Sequence, residues 1–199
     1  MSWAIWITGP PGCGKTTIAR GVLSELRSQG VSVKHLELDQ IRRVLTPSPT
    51  YSDEEREVVY RALALMAKLL TEAGVPILID ATAHKRGWRE LARSLIPIFA
   101  EVQLLCSLEV CRERERTRCE SAAPPGIYDR AGQPGATVPG VDVPYEVSIS
   151  PELTIDTEEV SPGAAVKEIL FLARRLSRRA DLAEGQSLRR MRWISLSWP

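Results

Sequence analysis

Apolar runs alternate with helical patterns along this chain, as expected when parallel strands are joined by crossover helices. Trp3-Ala4-Ile5-Trp6-Ile7-Thr8 is apolar almost throughout and reads as a central strand covered on both faces. Thr17 to Val22 continues with helical spacing, and the first helix runs to about Gln29, where Gly30 stops it. Val31 to Leu38 reads as a second strand, and Ile41 to Leu45 as a short helix broken by Pro47 and Pro49. Ser52-Asp53-Glu54-Glu55 is a capping box opening a long helix, with Val58, Val59, Ala62, Leu63, Met66, Leu69 and Leu70 as its apolar stripe and Gly74 as its end. Pro76 to Asp80 is a third strand, Trp88 to Leu95 a helix, and Phe99 to Leu105 a fourth strand. A charged helix, Glu109 to Arg118, follows. Residues 119–150 are rich in Gly, Pro, Ala and Ser, show no apolar period and cannot build a core, which is the profile of a lid. Glu152 to Asp156 restores a short strand, and the amphipathic Ala164 to Leu176 closes the domain. The pattern predicts a three-layer α/β fold with a mostly parallel sheet, in which Asp39, Asp80 and the loop after Leu105 share the carboxyl rim where ligands gather.

Directly behind the first strand stands Gly9-Pro10-Pro11-Gly12-Cys13-Gly14-Lys15-Thr16, with the spacing G-x-x-x-x-G-K-[ST] of a phosphate-binding loop. Such a loop wraps backbone N–H groups around a triphosphate at a helix N-terminus. Its glycines allow positive φ and close backbone approach to phosphate oxygens. Gly9, Gly12, Cys13, Gly14, Lys15, Thr16 and Thr17 are therefore the expected nucleotide-binding residues. Lys15 is expected to reach the β- and γ-phosphates and Thr16 to offer its hydroxyl to Mg²⁺. The motif makes the fold class a P-loop NTPase fold with a lid segment.

Length and composition narrow the remaining choices. At 199 residues the chain is expected to hold one domain, residues 1–180 with the lid at about 119–150, followed by a basic tail over 181–199. A formal net charge of +1 argues against nucleic acid or membrane as a bulk partner. The N-terminus lacks a secretory pattern, so a cytoplasmic location is expected. Cys13, Cys106, Cys111 and Cys119 form no C-x-x-C pair and, with only His35 and His84 beside them, read as reduced structural thiols rather than a zinc site. A Cys111–Cys119 pair stays open. The arginines of the charged helix read either as a solvated face or, by analogy with P-loop kinases, as a lid helix in which Arg114 covers the nucleotide. Trp193 and Trp198 in the tail leave self-association, such as a homodimer, open.

A second set of segments is more discriminating. Gly126-Ile127-Tyr128-Asp129-Arg130-Ala131, Gly140-Val141-Asp142-Val143-Pro144-Tyr145-Glu146 and Pro151-Glu152-Leu153-Thr154-Ile155-Asp156-Thr157 resemble the lid and closing strand of adenylylsulfate kinases. Leu108-Glu109-Val110-Cys111 with Arg114 and Glu115 is similar to that family's L-E-V-C-E-x-R-D helix. The likeness extends from the phosphate loop to about Leu176. It implies transfer of the ATP γ-phosphoryl group to the 3′-hydroxyl of adenylylsulfate, with Mg²⁺. By position, Asp39 and Arg42 fall on the family's D-G-D-N-x-R, Arg56 and Arg61 on its R-x-E-N-x-R helix, and Ile127, Tyr128 and Arg130 in its lid. These are the acceptor-site residues that the resemblance implies.

The departures lie on the acceptor side. Glu37 and Leu38 replace the first Asp and Gly of D-G-D, and Val59 replaces the Asn of the long helix. Ala83-His84-Lys85 replaces I-S-P, and Val138-Pro139 replaces F-T, removing an aromatic expected to stack on adenine. Tyr128, Arg130 and His84 are the nearby candidates to compensate. Asp39 is the candidate to orient or deprotonate the acceptor hydroxyl, with a Mg²⁺-water ligand or helix cap as the alternative. Asp80 reads as a metal-water ligand or a second acceptor contact. Two other functions stay open: a kinase of this fold acting on another nucleotide or a polyol, and a nucleotide-binding regulatory module without turnover.

Overall fold

A computed structural model describes residues 1–117 and 126–194, the side chains of residue 184 and residues 186–194 excepted. Its elements in chain order are β1 (Ala4–Thr8), α1 (Lys15–Ser28), β2 (Lys34–Glu37), α2 (Leu38–Leu45), α3 (Asp53–Glu72), β3 (Ile77–Asp80), α4 (Arg86–Leu95), β4 (Phe99–Leu105), α5 (Leu108–Arg116), a 3-10 turn (Tyr128–Arg130), β5 (Leu153–Asp156) and α6 (Pro162–Ile194). The five strands lie in the order β2-β3-β1-β4-β5. Every pairing is parallel, so the sheet is wholly rather than mostly so.

Strand alternation explains the layers. Trp3, Ile5 and Ile7 point to a core shared with α1 and α6, while Ala4 and Trp6 point to a second core against α3 and α4. Both faces are apolar, so β1 reads as a continuous apolar run. On the first face α1 and α6 approach closely: a Cβ on Gly21 would come within 2.7 Å of Val166 Cγ2. The indole of Trp3 donates to Ser177 Oγ at 2.9 Å, fastening α6 to the start of the sheet.

Several boundaries differ from the sequence expectation for physical reasons. β2 turns into α2 without a linker, because Leu38 and Arg42, one helical turn apart, are both buried. On α3, Ser52 Oγ accepts from Glu55 N at 3.2 Å as a cap should, but the Glu55 carboxylate does not complete the box. It accepts instead from Thr50 N and from Arg42 Nη1, at 2.5 and 2.7 Å. Val58 and Leu69 of the expected α3 stripe are exposed, and Arg56, Tyr60 and Ala67 are buried in their place. The final helix does not stop near Leu176 but runs to Ile194, since Leu176 and Ala180 extend its buried face and the arginines that follow are good helix formers. Trp193 lies on this helix, and Trp198 is outside the described residues.

The feature that binds the layers beside the future site is Arg89 of α4, fully buried. Its Nε donates to Glu101 Oε1 of β4 at 2.7 Å, Nη2 to the Glu146 carbonyl at 2.5 Å, and Nη1 to the Ala83 carbonyl. Its guanidinium also stands 5.6 Å from the centre of the Tyr145 ring. Removing such a charge leaves Glu101 buried with its main partner gone. Arg89→Ala is expected to destabilise the fold by about 3–5 kcal/mol, measured as a lower urea midpoint with an unchanged m-value.

Candidate active site

A cavity of about 240 Å³ opens at the carboxyl rim of the sheet. Lys15, Thr16 and Pro11 of the phosphate loop line it together with Leu38, Asp39 and Arg42 of α2, Tyr51, Arg56 and Tyr60, the β3 terminus from Asp80 to Thr82, His84, and the lid residues Ile127, Arg130 and 135–139. Asp39, Asp80 and the phosphate loop thus share one rim, as the topology predicts.

The phosphate loop is shaped by the protein behind it. Gly12 has φ 81°, and a Cβ there would overlap the Cys111 carbonyl at the first turn of α5. A Cβ on Gly9 would lie 2.6 Å from Cys13 Sγ and 2.9 Å from the Leu104 carbonyl. These glycines therefore answer to protein neighbours as well as to phosphate. Lys15 Nζ donates to the carbonyls of Gly9 and Pro10 at 3.0 and 2.8 Å. Burial opposes its charge, but Cys13 and Asp80 outweigh that and hold its pKa above the ordinary value.

Asp80 ends β3 nearly buried, and burial pushes its carboxyl up against the opposing pull of Lys15 and a hydrogen bond with the Thr16 hydroxyl. Its Oδ2 is buried without a hydrogen-bond partner. His35 Nε2 stands 4.0 Å away, but burial brings that imidazole down to about 4, so it is neutral and the two form no ion pair. Asp39, in the first turn of α2, is half-buried on the cavity wall.

The side of the cavity around Arg42 and Arg56 is built as a bonded chain. Arg42 pairs with Glu55 at 2.7 Å and lies 5.2 Å over the Tyr51 ring. Tyr51 adopts φ 56°, a strained conformation for an aromatic residue, and its ring lines the cavity. Thr137 Oγ1 bonds the Tyr51 carbonyl, and Arg56 Nη2 donates to both Thr137 oxygens at 2.8 and 2.9 Å. Arg56 Nη1 is buried and unpartnered. Tyr60, one turn along α3, stacks on Trp88 at 4.2 Å and accepts from Ala83 N at 2.9 Å.

Not every expected residue reaches the cavity. Arg61 is exposed and pairs with Glu57 at 2.6 Å. Tyr128 is not on the cavity wall; its hydroxyl donates to the Pro11 carbonyl at 2.7 Å and fastens the lid to the phosphate loop. Tyr128 and Val138 belong to the core, so the described part of the lid contributes to it after all. Arg114 donates to Thr157 Oγ1 and O at 2.9 and 2.7 Å, tying α5 to the end of β5. Val59 is buried in the core rather than on the cavity. Tyr145 and Glu146 also act structurally: the Tyr145 hydroxyl meets Thr8 Oγ1 at 2.9 Å, and Glu146 N donates to the His84 carbonyl at 2.8 Å. Cys13, Cys106 and Cys111 are free thiols, while Arg118, Cys119 and residues 122–125 lie outside the described residues. Sequence reasoning missed Tyr51 and Tyr60; the aromatic at the end of the Pro-rich break after α2 was the available signal for the first.

The parallel sheet, the phosphate loop at the tip of β1 and the lid define the class: a P-loop NTPase fold whose rim cavity extends from the phosphate loop to the lid. A family model described as adenylylsulphate kinase matches residues 1–156. A probable adenylyl-sulfate kinase of Archaeoglobus fulgidus is 39% identical over 80% of this chain and 98% of that protein. One of Pyrococcus abyssi is 35% identical over 87% of this chain and 96% of its own length. The solved APS kinase CysC of Mycobacterium tuberculosis, in complex with AMPPNP and APS, superposes with a TM-score of 0.75 at 27% identity, covering 87% of this chain and 98% of that one. The chain belongs to the adenylylsulphate kinase family. No described helix is long and apolar enough to cross a membrane.

The placement of the two α3 arginines separates them experimentally. Arg56→Ala should raise the acceptor KM by about 10-fold or more, as expected when a charged hydrogen-bonding group is lost. Arg61→Ala, which breaks only an exposed pair, should leave the KM of both substrates within about twofold. Steady-state kinetics on the two variants checks both.

Proposed function

We propose that the chain is an ATP- and Mg²⁺-dependent kinase that transfers the γ-phosphoryl group of ATP to the 3′-hydroxyl of adenylylsulfate. One observation carries the reading: a single cavity joins the phosphate loop to Asp39, Asp80 and the arginines Arg42, Arg56 and Arg130, in a chain of this family. Phosphoryl transfer asks mainly for positioning and charge neutralisation.

In this reading Lys15 exchanges its two loop carbonyls for β- and γ-phosphate oxygens, and the backbone N–H groups from Gly12 to Thr17 cradle the rest of the triphosphate. The Thr16 hydroxyl and the unpartnered Asp80 Oδ2 fit a hard cation that takes oxygen ligands and leaves room for phosphates. Bound there, Mg²⁺ would neutralise charge on the β- and γ-phosphates. Asp39 orients or deprotonates the acceptor hydroxyl from the first turn of α2. Arg42 and Arg56 hold the anionic part of the acceptor, and Tyr51 offers an aromatic face where Val138 and Pro139 do not. The lid excludes water from the transfer.

A second reading, a kinase acting on another nucleotide or alcohol, is favoured by Val138 and Pro139 on the cavity wall where the family carries F-T. ADP release measured with adenylylsulfate, other nucleotides and sugars separates the two: turnover confined to a different acceptor would overturn the first.

Two variants test the roles. Lys15→Ala should fold normally and lose about 10²–10³-fold in kcat, as when one electrostatic donor to a transition state is removed; near-normal turnover would contradict the role. Asp39→Asn should lose about 10²-fold in kcat with ATP affinity little changed. Recovery of that loss at high Mg²⁺ would assign Asp39 to the metal instead of the hydroxyl.

A further inference from the structure

Resting on the adenylylsulfate reading, we infer that His84 is a specificity-determining residue whose Nε2 hydrogen-bonds the base of the nucleotide acceptor. His84 is 3% exposed, lines the cavity, and its Nε2 is buried with no hydrogen-bond partner in the protein. A buried nitrogen of this kind needs a partner, and the cavity that its residue lines is the nearest space from which one can come.

The ring is held in place from three directions. Trp88 meets it edge-on, with centroids 5.0 Å apart and planes at 88°. Its own carbonyl accepts from Glu146 N at 2.8 Å. The preceding Ala83 takes φ 41°, a left-handed conformation that costs an alanine energy, and is pinned by Tyr60 through its N–H and by Arg89 through its carbonyl. Strain held by two buried partners at the edge of a cavity marks a residue being presented rather than one filling space. The next residue is His84, standing where related kinases carry the serine of I-S-P.

Charge decides which part of the acceptor His84 meets. The anionic part has Arg42, Arg56 and Arg130 lining the same cavity. Burial, with Arg56 and Lys85 adding to it, brings the imidazole down to about 4, so at neutral pH it carries no charge for an anion. It is a neutral, directional group in a cavity also lined by Tyr51, Tyr60, Val138 and Pro139, whose surfaces are flat or apolar. Heterocyclic bases offer the matching chemistry: a flat apolar face and ring or exocyclic nitrogens along the edge.

The test pairs variants with acceptors altered only on the base. Wild type, His84→Ala and His84→Asn are assayed with adenylylsulfate, its hypoxanthine counterpart and its 7-deazaadenine counterpart, with thermal midpoints measured in parallel. In the wild type at least one base change should cost about 10-fold or more in kcat/KM, as expected when a buried polar group is left unpaired. In His84→Ala that discrimination should vanish, the adenylylsulfate KM should rise by a similar factor, and the ATP KM should hold. His84→Asn, which retains a neutral donor and acceptor, should recover part of the discrimination and serves as the readout if the alanine variant fails to fold. Discrimination unchanged in the folded variants, or absent from the wild type, would show that water alone satisfies Nε2 and overturn the inference. A wild type that turns over none of these acceptors would overturn the functional reading itself, and the inference with it.

Discussion

A guanidinium with no access to water holds the rim of this molecule together beside the cavity. Arg89 is sealed between α4 and the sheet, where an isolated charge would be untenable. It is tolerated because the planar fork of donors is used in several directions at once: a carboxylate on β4, a carbonyl in the loop after β3, and a carbonyl on the segment returning from the lid. A lysine has neither the reach nor the fixed geometry to join three separate stretches of chain in this way. Ala83 owes its unusual backbone, and His84 its position, to that junction. Glu101 in turn accepts from Ser148 Oγ, so the same charge pair also anchors the chain on its way into β5.

The segments that most resemble adenylylsulfate kinases are largely the ones that hold the scaffold around the cavity. Tyr145 and Glu146 of P-Y-E bond Thr8, His84 and Arg86; they fasten the lid's exit to the rim. Glu152 of P-E-L receives both Arg93 nitrogens and the Glu101 N–H, joining α4, β4 and β5. Thr157 receives Arg114. A family signature of this sort records how the chamber is built, whereas its lining is freer to change. That division fits a chain that matches the family over residues 1–156 while the resemblance read from its sequence puts departures at Val138, Pro139 and His84, all of which line the cavity.

Most of the architecture was legible because its signals are local. The phosphate loop is a contiguous motif, β1 a contiguous apolar run, and Gly30 and Gly74 mark helix ends with positive φ. Side-chain roles that depend on partners far along the chain were not. Arg61 and Arg56 look equivalent in sequence, yet a turn of helix puts one in solvent and the other in the cavity. By analogy with P-loop kinases, Arg114 reads either as covering the nucleotide or as part of a solvated face; in the structure it bonds Thr157, forty-three positions on. The extent of α6 was hidden because a helix past its packed face carries no apolar period to read. Tyr51 was hidden by the proline-rich break in which it sits.

The close packing behind the phosphate loop has a consequence for how nucleotide is received. Gly12 rests on the first turn of α5, Gly9 on β4 and Cys13, and Pro11 takes a hydrogen bond from Tyr128. The loop's curvature is therefore imposed by the body of the protein. A cradle already curved does not draw on the ligand's own binding free energy to become ordered, so more of that energy is left for affinity and for aligning the reacting groups. The Tyr128 hydroxyl also joins the cradle to the lid. A shift of Tyr128 would therefore break a hydrogen bond to the backbone that would grip the triphosphate.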